Sequence, residues 1–286
     1  IGDNALRTNT VSSYNTAIGS NALYANTTGA RNIAIGHKTV ESTTTGNDNV
    51  GIGASALYTN TTGSNNIAIG IFALTASTTA SNSVAIGYNA LSSVTTGNQN
   101  VAVGHASLKD NTASNMTAVG YYALNANTTG SENTAVGRKA LIVNTTGSNN
   151  TAVGCDALIS NTTGGSNTAV GRRALDANTG GSYNVALGNS ALDASSTASG
   201  NTAIGTQALQ VNTTNSYSTA VGYKALVANT AALNTAVGYE AMDENTTGEG
   251  SVAVGARAMK AQTTANYNTA VGYEAMEAST TATGCT

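Results

Sequence analysis

The sequence predicts an all-β protein, a parallel β-solenoid or β-roll of about 17 coils with a 17-residue repeat. Three observations carry this expectation. The stretch Asn133-Thr134-Ala135-Val136-Gly137 returns almost unchanged at Asn150 to Gly154, Asn167 to Gly171 and Asn234 to Gly238, with relatives throughout the chain. Its closing glycine recurs every seventeen residues, except that Gly104 to Gly120 and Gly222 to Gly238 are steps of sixteen. Nothing non-repetitive of domain size is left over, so residues 1–286 read as a single repeat array. Such an array works through a surface rather than a pocket.

Taking one coil from Thr134 to Asn150, the first element is Thr134-Ala135-Val136, β-branched at alternate positions and bounded by Asn and Gly, which reads as a strand. One of its faces carries the branched residues, and the other carries Ala and then the glycine. The expectation is that Val136, Val153 and Val170 form a ladder inside the coil. Ala135, Gly137, Ala152 and Gly154 then present a flat face to another chain. After two variable residues comes Ala140-Leu141, repeated as Ala157-Leu158 and Ala174-Leu175, with Met242, Met259 and Met276 in the last three turns. Leu and Met are close in volume, so Leu141, Leu158 and Leu175 are expected to complete the core ladder, on a second short strand. Asn144-Thr145-Thr146-Gly147 is a turn, and both sixteen-residue coils lose their residue in the corresponding region.

A single coil cannot stand alone. Ordering one backbone residue costs about 1–2 kcal/mol, whereas a buried Leu or Val contributes about 1.5–3 kcal/mol. Stacking supplies the difference. At about 4.8 Å per coil, the expected array reaches roughly 80 Å.

Composition narrows the function. Charged residues make up 9% of the chain and the net charge is -3, which argues against nucleic-acid binding. No apolar run is long enough for a membrane span. The chain opens on Ile1-Gly2, inside a motif, and so reads as an excerpt of a longer fibre. Cys155 and Cys285 lie too far apart along the stack for a disulfide. His37 and His105 are four coils apart, roughly 19 Å, and cannot share a metal. The late carboxylates (Glu240, Asp243, Glu244, Glu249, Glu274, Glu277) and the earlier bases (Arg138, Lys139, Arg172, Arg173) match no metal-loop pattern and read as a graded, solvated surface. No titratable cluster repeats or converges, so the chain is expected to be no enzyme and to carry no cofactor or metal.

Three exposed features remain. Tyr88, Tyr121, Tyr223, Tyr239 and Tyr273 share the column after the glycine, with Tyr122 beside it. They are candidates for carbohydrate or cell-surface contacts, weighed against simple packing over neighbouring coils. Tyr14, Tyr183, Tyr217 and Tyr267 form a second column. The Thr pairs (Thr27-Thr28, Thr61-Thr62, Thr128-Thr129, Thr145-Thr146, Thr162-Thr163) form an array with ice-binding character, for which hydrogen-bonded Asn and Thr ladders are the preferred account. Asn26, Asn60, Asn127, Asn144, Asn161, Asn212 and Asn245 are formally N-glycosylation sequons, created by the repeat itself.

The unit Asn82-Ser83-Val84-Ala85-Ile86-Gly87, and likewise Gly250-Ser251-Val252-Ala253-Val254-Gly255, resembles the head repeat of trimeric autotransporter adhesins. The array also resembles repeats of phage-like fibres and bacterial surface proteins, with an added Asn-Thr-Thr-Gly corner. The resemblance implies a left-handed roll, a homotrimer or filament, and an extracellular or cell-surface location. The expected function is a structural or adhesive fibre segment. A phage tail fibre-like rod is one alternative. A monomeric solenoid binding ice or glycans through a Thr/Asn or Tyr ladder is another.

Overall fold

A computed structural model describes residues 1–278, 280 and 283–285. They form two compact units, Ile1–Thr146 and Gly147–Thr286. Both are all-β, with no helix among the described residues. In the first unit, eight three-residue strands run from β1 (Thr16–Ile18) to β8 (Thr134–Val136). They pair in chain order, parallel and in register, so that Thr117, Ala118 and Val119 face Thr134, Ala135 and Val136. In the second unit, β9 (Thr151–Val153) to β16 (Thr269–Val271) do the same, with Thr151, Ala152 and Val153 opposite Thr168, Ala169 and Val170. Each unit is a parallel β-solenoid.

Only one strand forms per coil. The expected second strand around Leu141 is a run of turns instead. Its backbone enters the left-handed region at Lys139 (φ 58°) and Leu141 (φ 53°), and again at Asn149 (φ 60°). Each such residue costs about 1–2 kcal/mol relative to its relaxed conformation. The turn still stacks. Leu124 N–H donates to the Ala140 carbonyl at 3.0 Å, and Leu158 N–H to that of Ala174 at 3.0 Å. Hydrogen bonds between coils therefore continue beyond the strands, and they offset the local strain.

The two strand faces are reversed from the expectation. Ala135 and Ala152 are fully buried, whereas Val170 is 37% exposed and Val136 and Val153 are half-exposed. The small residue points in because the interior is already occupied. Each coil places Ala140 and Leu141, or their equivalents, inside. Most coils also bury two polar side chains, such as Asn127 and Asn133. Leu141, Leu158 and Leu175 are inside as expected. What remains opposite the strand takes a methyl group and no branched chain.

Gly137 and Gly154 do not present a flat face to another chain either. A Cβ on Gly154, whose φ is 141°, would lie 2.5 Å from the Gly171 carbonyl oxygen. A Cβ on Gly120 would strike the carbonyl of Gly137 in the same way. The glycine column is a close backbone approach between successive coils.

The reversal separates two substitutions. Leu141→Asp, which buries an unpaired charge, is expected to abolish cooperative unfolding, whereas Val136→Asp places its carboxylate at the surface and retains a melting transition. Circular dichroism melts of the two variants check this. Equal loss in both would return Val136 to the interior.

Candidate functional site

Two ladders of buried side chains organise each coil, and they decide which side chains remain for the surface. The first precedes the strand. Asn49 Nδ2 donates to Asn32 Oδ1 at 3.1 Å and to the Gly63 carbonyl at 2.8 Å, and its backbone N–H donates to the same Asn32 Oδ1 at 3.0 Å. One side chain thus joins three coils. In the second unit Asn167 does the same with Asn150 Oδ1 (3.2 Å) and the Gly181 carbonyl (2.8 Å).

The second ladder is the Asn of the Asn-Thr-Thr-Gly corner. Asn144 Nδ2 donates to Asn127 Oδ1 at 2.8 Å, and Asn178 Nδ2 to Asn161 Oδ1 at 2.7 Å. This overturns the glycosylation reading. Asn26, Asn60, Asn127, Asn144, Asn161, Asn212 and Asn245 are all fully buried, so no glycan fits at these positions in the folded coil. The corner Asn also absorbs the missing residue of the short coils. Asn60 bonds the carbonyl three residues on, at Gly63, while Asn111 and Asn229 bond the carbonyls two residues on, at Ala113 and Ala231.

The corner ladder fails where a hydroxyl replaces Asn, and also at Asn212, whose Oδ1 has no partner among the described residues because Asn229 bonds Ala231 instead. Asn26, Asn60 and Asn178 each have a buried Oδ1 with no partner among the described residues. Seventeen residues on stand Thr43, Ser77 and Ser195, too short to donate back. The hydroxyls of Ser77 and Ser195 are themselves without partners. A buried acceptor left unmade costs about 1–3 kcal/mol. Ser77→Asn is therefore expected to raise the denaturation midpoint with an unchanged m-value, by about 1 kcal/mol. A lowered midpoint would contradict the ladder.

The first Thr of most corner pairs is committed too. Thr27 Oγ1 donates to the Thr44 carbonyl at 3.0 Å, Thr128 to Thr145 at 2.9 Å, and in the second unit Thr162 to Thr179 at 3.0 Å. These hydroxyls bind the next coil.

The aromatic column after the glycine packs along the stack. In the first unit His105 lies between Tyr88 and Tyr121, with ring centroids at 5.2 and 5.3 Å and nearly parallel planes. Tyr122 leans on both His105 (5.2 Å) and Tyr121 (4.4 Å). Tyr223 and Tyr239 stack at 5.5 Å in the second unit. Neighbouring rings cover part of one another's faces, while Tyr273 is largely exposed. His37 is exposed. Cys155 and Cys285 are both free thiols, and Cys155 Sγ donates to the adjacent Asp156 carboxylate at 3.3 Å.

Three of the late carboxylates of the second unit, Glu240, Glu274 and Glu277, meet cations. Glu240 lies 2.6 Å from Lys260 Nζ and 3.7 Å from Arg257, which also faces Glu274 at 3.6 Å. No group of three His, Cys, Asp or Glu able to hold a metal occurs among the described residues. Hydrogen bonds from Lys260 and then Tyr239 hold the Glu240 carboxyl below the usual carboxylate range. A depressed carboxylate stabilises the fold above its ordinary pKa of about 4.3 and loses that contribution as pH falls through the folded value. Burial raises the Asp243 carboxyl, which acts in the opposite sense. Glu240→Gln is expected to lose part of the fall in melting temperature between neutral and strongly acid pH. An unchanged pH profile would contradict the pairing.

The structure also shows two features that reading the repeat as a strand with an inward branched face did not find. One is the outward strand face, where Ile18, Ile35, Ile52 and Ile86 of the first unit stay more than a third exposed, as do Leu187, Ile204 and Val254 of the second. The other is a cleft in the second unit built on the variable residues just after the buried Leu, Asp176, Asp193 and Gln210. No helix among the described residues is long and apolar enough to cross a membrane. Comparison with protein-family models gives no match, and comparison with curated proteins gives none either.

Proposed function

We propose that this chain is a non-catalytic structural and adhesive segment of an extracellular fibre, whose copies associate side by side as a homotrimer. The observation that supports it most is the outward strand face. The branched side chains of the strands point out of the coil. Here they form in-register exposed columns, such as Ile18 to Ile35 to Ile52 in the first unit. Contiguous apolar surface of this kind marks an interaction site.

The magnitude can be set against the cost of association. Fully burying a Val or Ile contributes about 1.5–3 kcal/mol, and these residues retain a little over a third of their exposure, so covering each contributes about 0.5–1 kcal/mol. Six isoleucines of the first unit (Ile18, Ile33, Ile35, Ile52, Ile67 and Ile86) give about 3–6 kcal/mol per chain. That reaches only the low end of the about 4–15 kcal/mol that association costs, so the outward columns of both units have to contribute.

A second reading has its own observation. In the second unit Thr151, Thr168, Thr202 and Thr219 stand on the same outward face, and no hydrogen bond among the described residues engages their hydroxyls. A regular Thr and aliphatic surface on a monomer suits ice binding.

Sedimentation equilibrium distinguishes the two. The fibre reading expects a species near three times 28.3 kDa, and dissociation in Ile35→Lys with its melting transition retained. A stable monomer of 28.3 kDa at high concentration, with thermal hysteresis, would establish the second reading instead.

A further inference from the structure

A cleft in the second unit takes no part in the strand face or in the two Asn ladders. Its volume is about 480 Å³, within the range of small-molecule sites. Ser160, Arg173, Asp176, Asp193, Gln210 and Val211 line it, with the methyl groups of two alanines between them. These residues come from four successive coils, so the cleft runs for about 14 Å along the stacking direction.

Its polar groups are only partly used. Arg173 Nε bonds Asp176 Oδ2 at 2.5 Å, and its Nη2 bonds Asp193 Oδ1 at 3.3 Å. One oxygen of each carboxylate is thereby engaged. The other oxygen of each, the Gln210 amide and the Ser160 hydroxyl have no hydrogen-bond partner among the described residues. The guanidinium fixes both carboxylates in place, which lowers the cost of ordering them around a ligand.

The chemistry selects among ligands. Two carboxylates against one guanidinium leave the cleft negative, which disfavours phosphate, sulfate and uronate groups. The guanidinium stands between the carboxylates, where a metal ion would need to lie. A wholly apolar ligand would leave the amide and the carboxylate oxygens unpaired. A polyol satisfies every wall. Its hydroxyls donate to Asp176, Asp193 and the Gln210 carbonyl and accept from the Gln210 amide, while its C–H faces rest on Val211 and the alanine methyls.

We propose that this cleft binds a segment of neutral polysaccharide, a few pyranose units long, lying along the stacking direction. The proposal rests on the adhesive reading above and names its ligand class.

Isothermal titration calorimetry of the intact chain tests it with cellotetraose, maltotetraose and N-acetylchitotetraose, and with a heparin tetrasaccharide as the anionic comparison. At least one neutral probe is expected to bind saturably. Gln210→Ala and Asp193→Ala should each weaken it about tenfold, as expected for one or two lost hydrogen bonds. Both variants should keep the parent melting temperature, because the Gln210 amide has no hydrogen-bond partner among the described residues and Arg173 keeps Asp176 when Asp193 is removed. Tyr267→Ala, which lies outside the cleft, should bind as the parent does. The proposal is overturned if no neutral probe binds, if both cleft variants bind unchanged, or if the heparin tetrasaccharide is preferred. Sedimentation of the same samples keeps the two proposals separate. An assembled chain that binds no glycan sinks the cleft alone, and a monomer that binds one sinks the assembly alone.

Discussion

The constraint on which both units depend is that buried amides are paired chiefly through the neighbouring coils. Each coil buries two Asn side chains or their substitutes, and an unpaired buried polar group costs about 1–3 kcal/mol. Asn49 meets that demand only if Asn32 Oδ1 lies one coil below and the Gly63 carbonyl one coil above. A shift of one residue in the coil of Asn32 would break two of these bonds, and a shift in the coil of Gly63 would break the third. The regular step therefore follows from polar satisfaction as much as from the apolar ladder. The short coils show the same rule, since they drop a residue only where Asn111 and Asn229 can bond a nearer carbonyl.

From this constraint comes the division of the coil into inside and outside. Ala140, Leu141 and two Asn fill the interior, and the strand adds only a methyl group, as with Ala135. The branched residues are then displaced to the surface. That surface is thus a product of how the interior is packed, and the fibre reading and the ice reading both start from it. The corner hydroxyls go the other way. Thr27 and Thr128 resemble a binding array by pattern, yet each is committed to holding the adjacent coil.

Much of the fold was legible in the residues. Period, parallel stacking, the inward Leu141 column and the Asn and Thr ladders all follow from what repeats at a fixed step. The strand's inward face was not legible from alternation alone, because Thr134-Ala135-Val136 is compatible with burial on either side. A subtler signal lay in the variation between coils. The middle position is Ala in every strand except β3, where it is Gly51, whereas its neighbours range over Thr, Val, Ile and Leu. Tolerance of branching marks the roomier, outward side. The second strand was misjudged for a different reason: left-handed Lys139 and Leu141 have no distinguishing residue type, unlike glycine. Of the candidate surface sites, the Tyr columns were legible. The cleft was not, because Asp176, Asp193 and Gln210 sit in a column whose variability conceals that they face one another across successive coils.

An experimental density map of one coil in cross-section tests the central claim most directly. The interlocked Asn ladders require the Ala135, Leu141 and Asn127 side chains inside the ring of backbone, with Val136 outside it. Density for Val136 filling the interior, with Ala135 and the Asn127 amide facing outward, would contradict it.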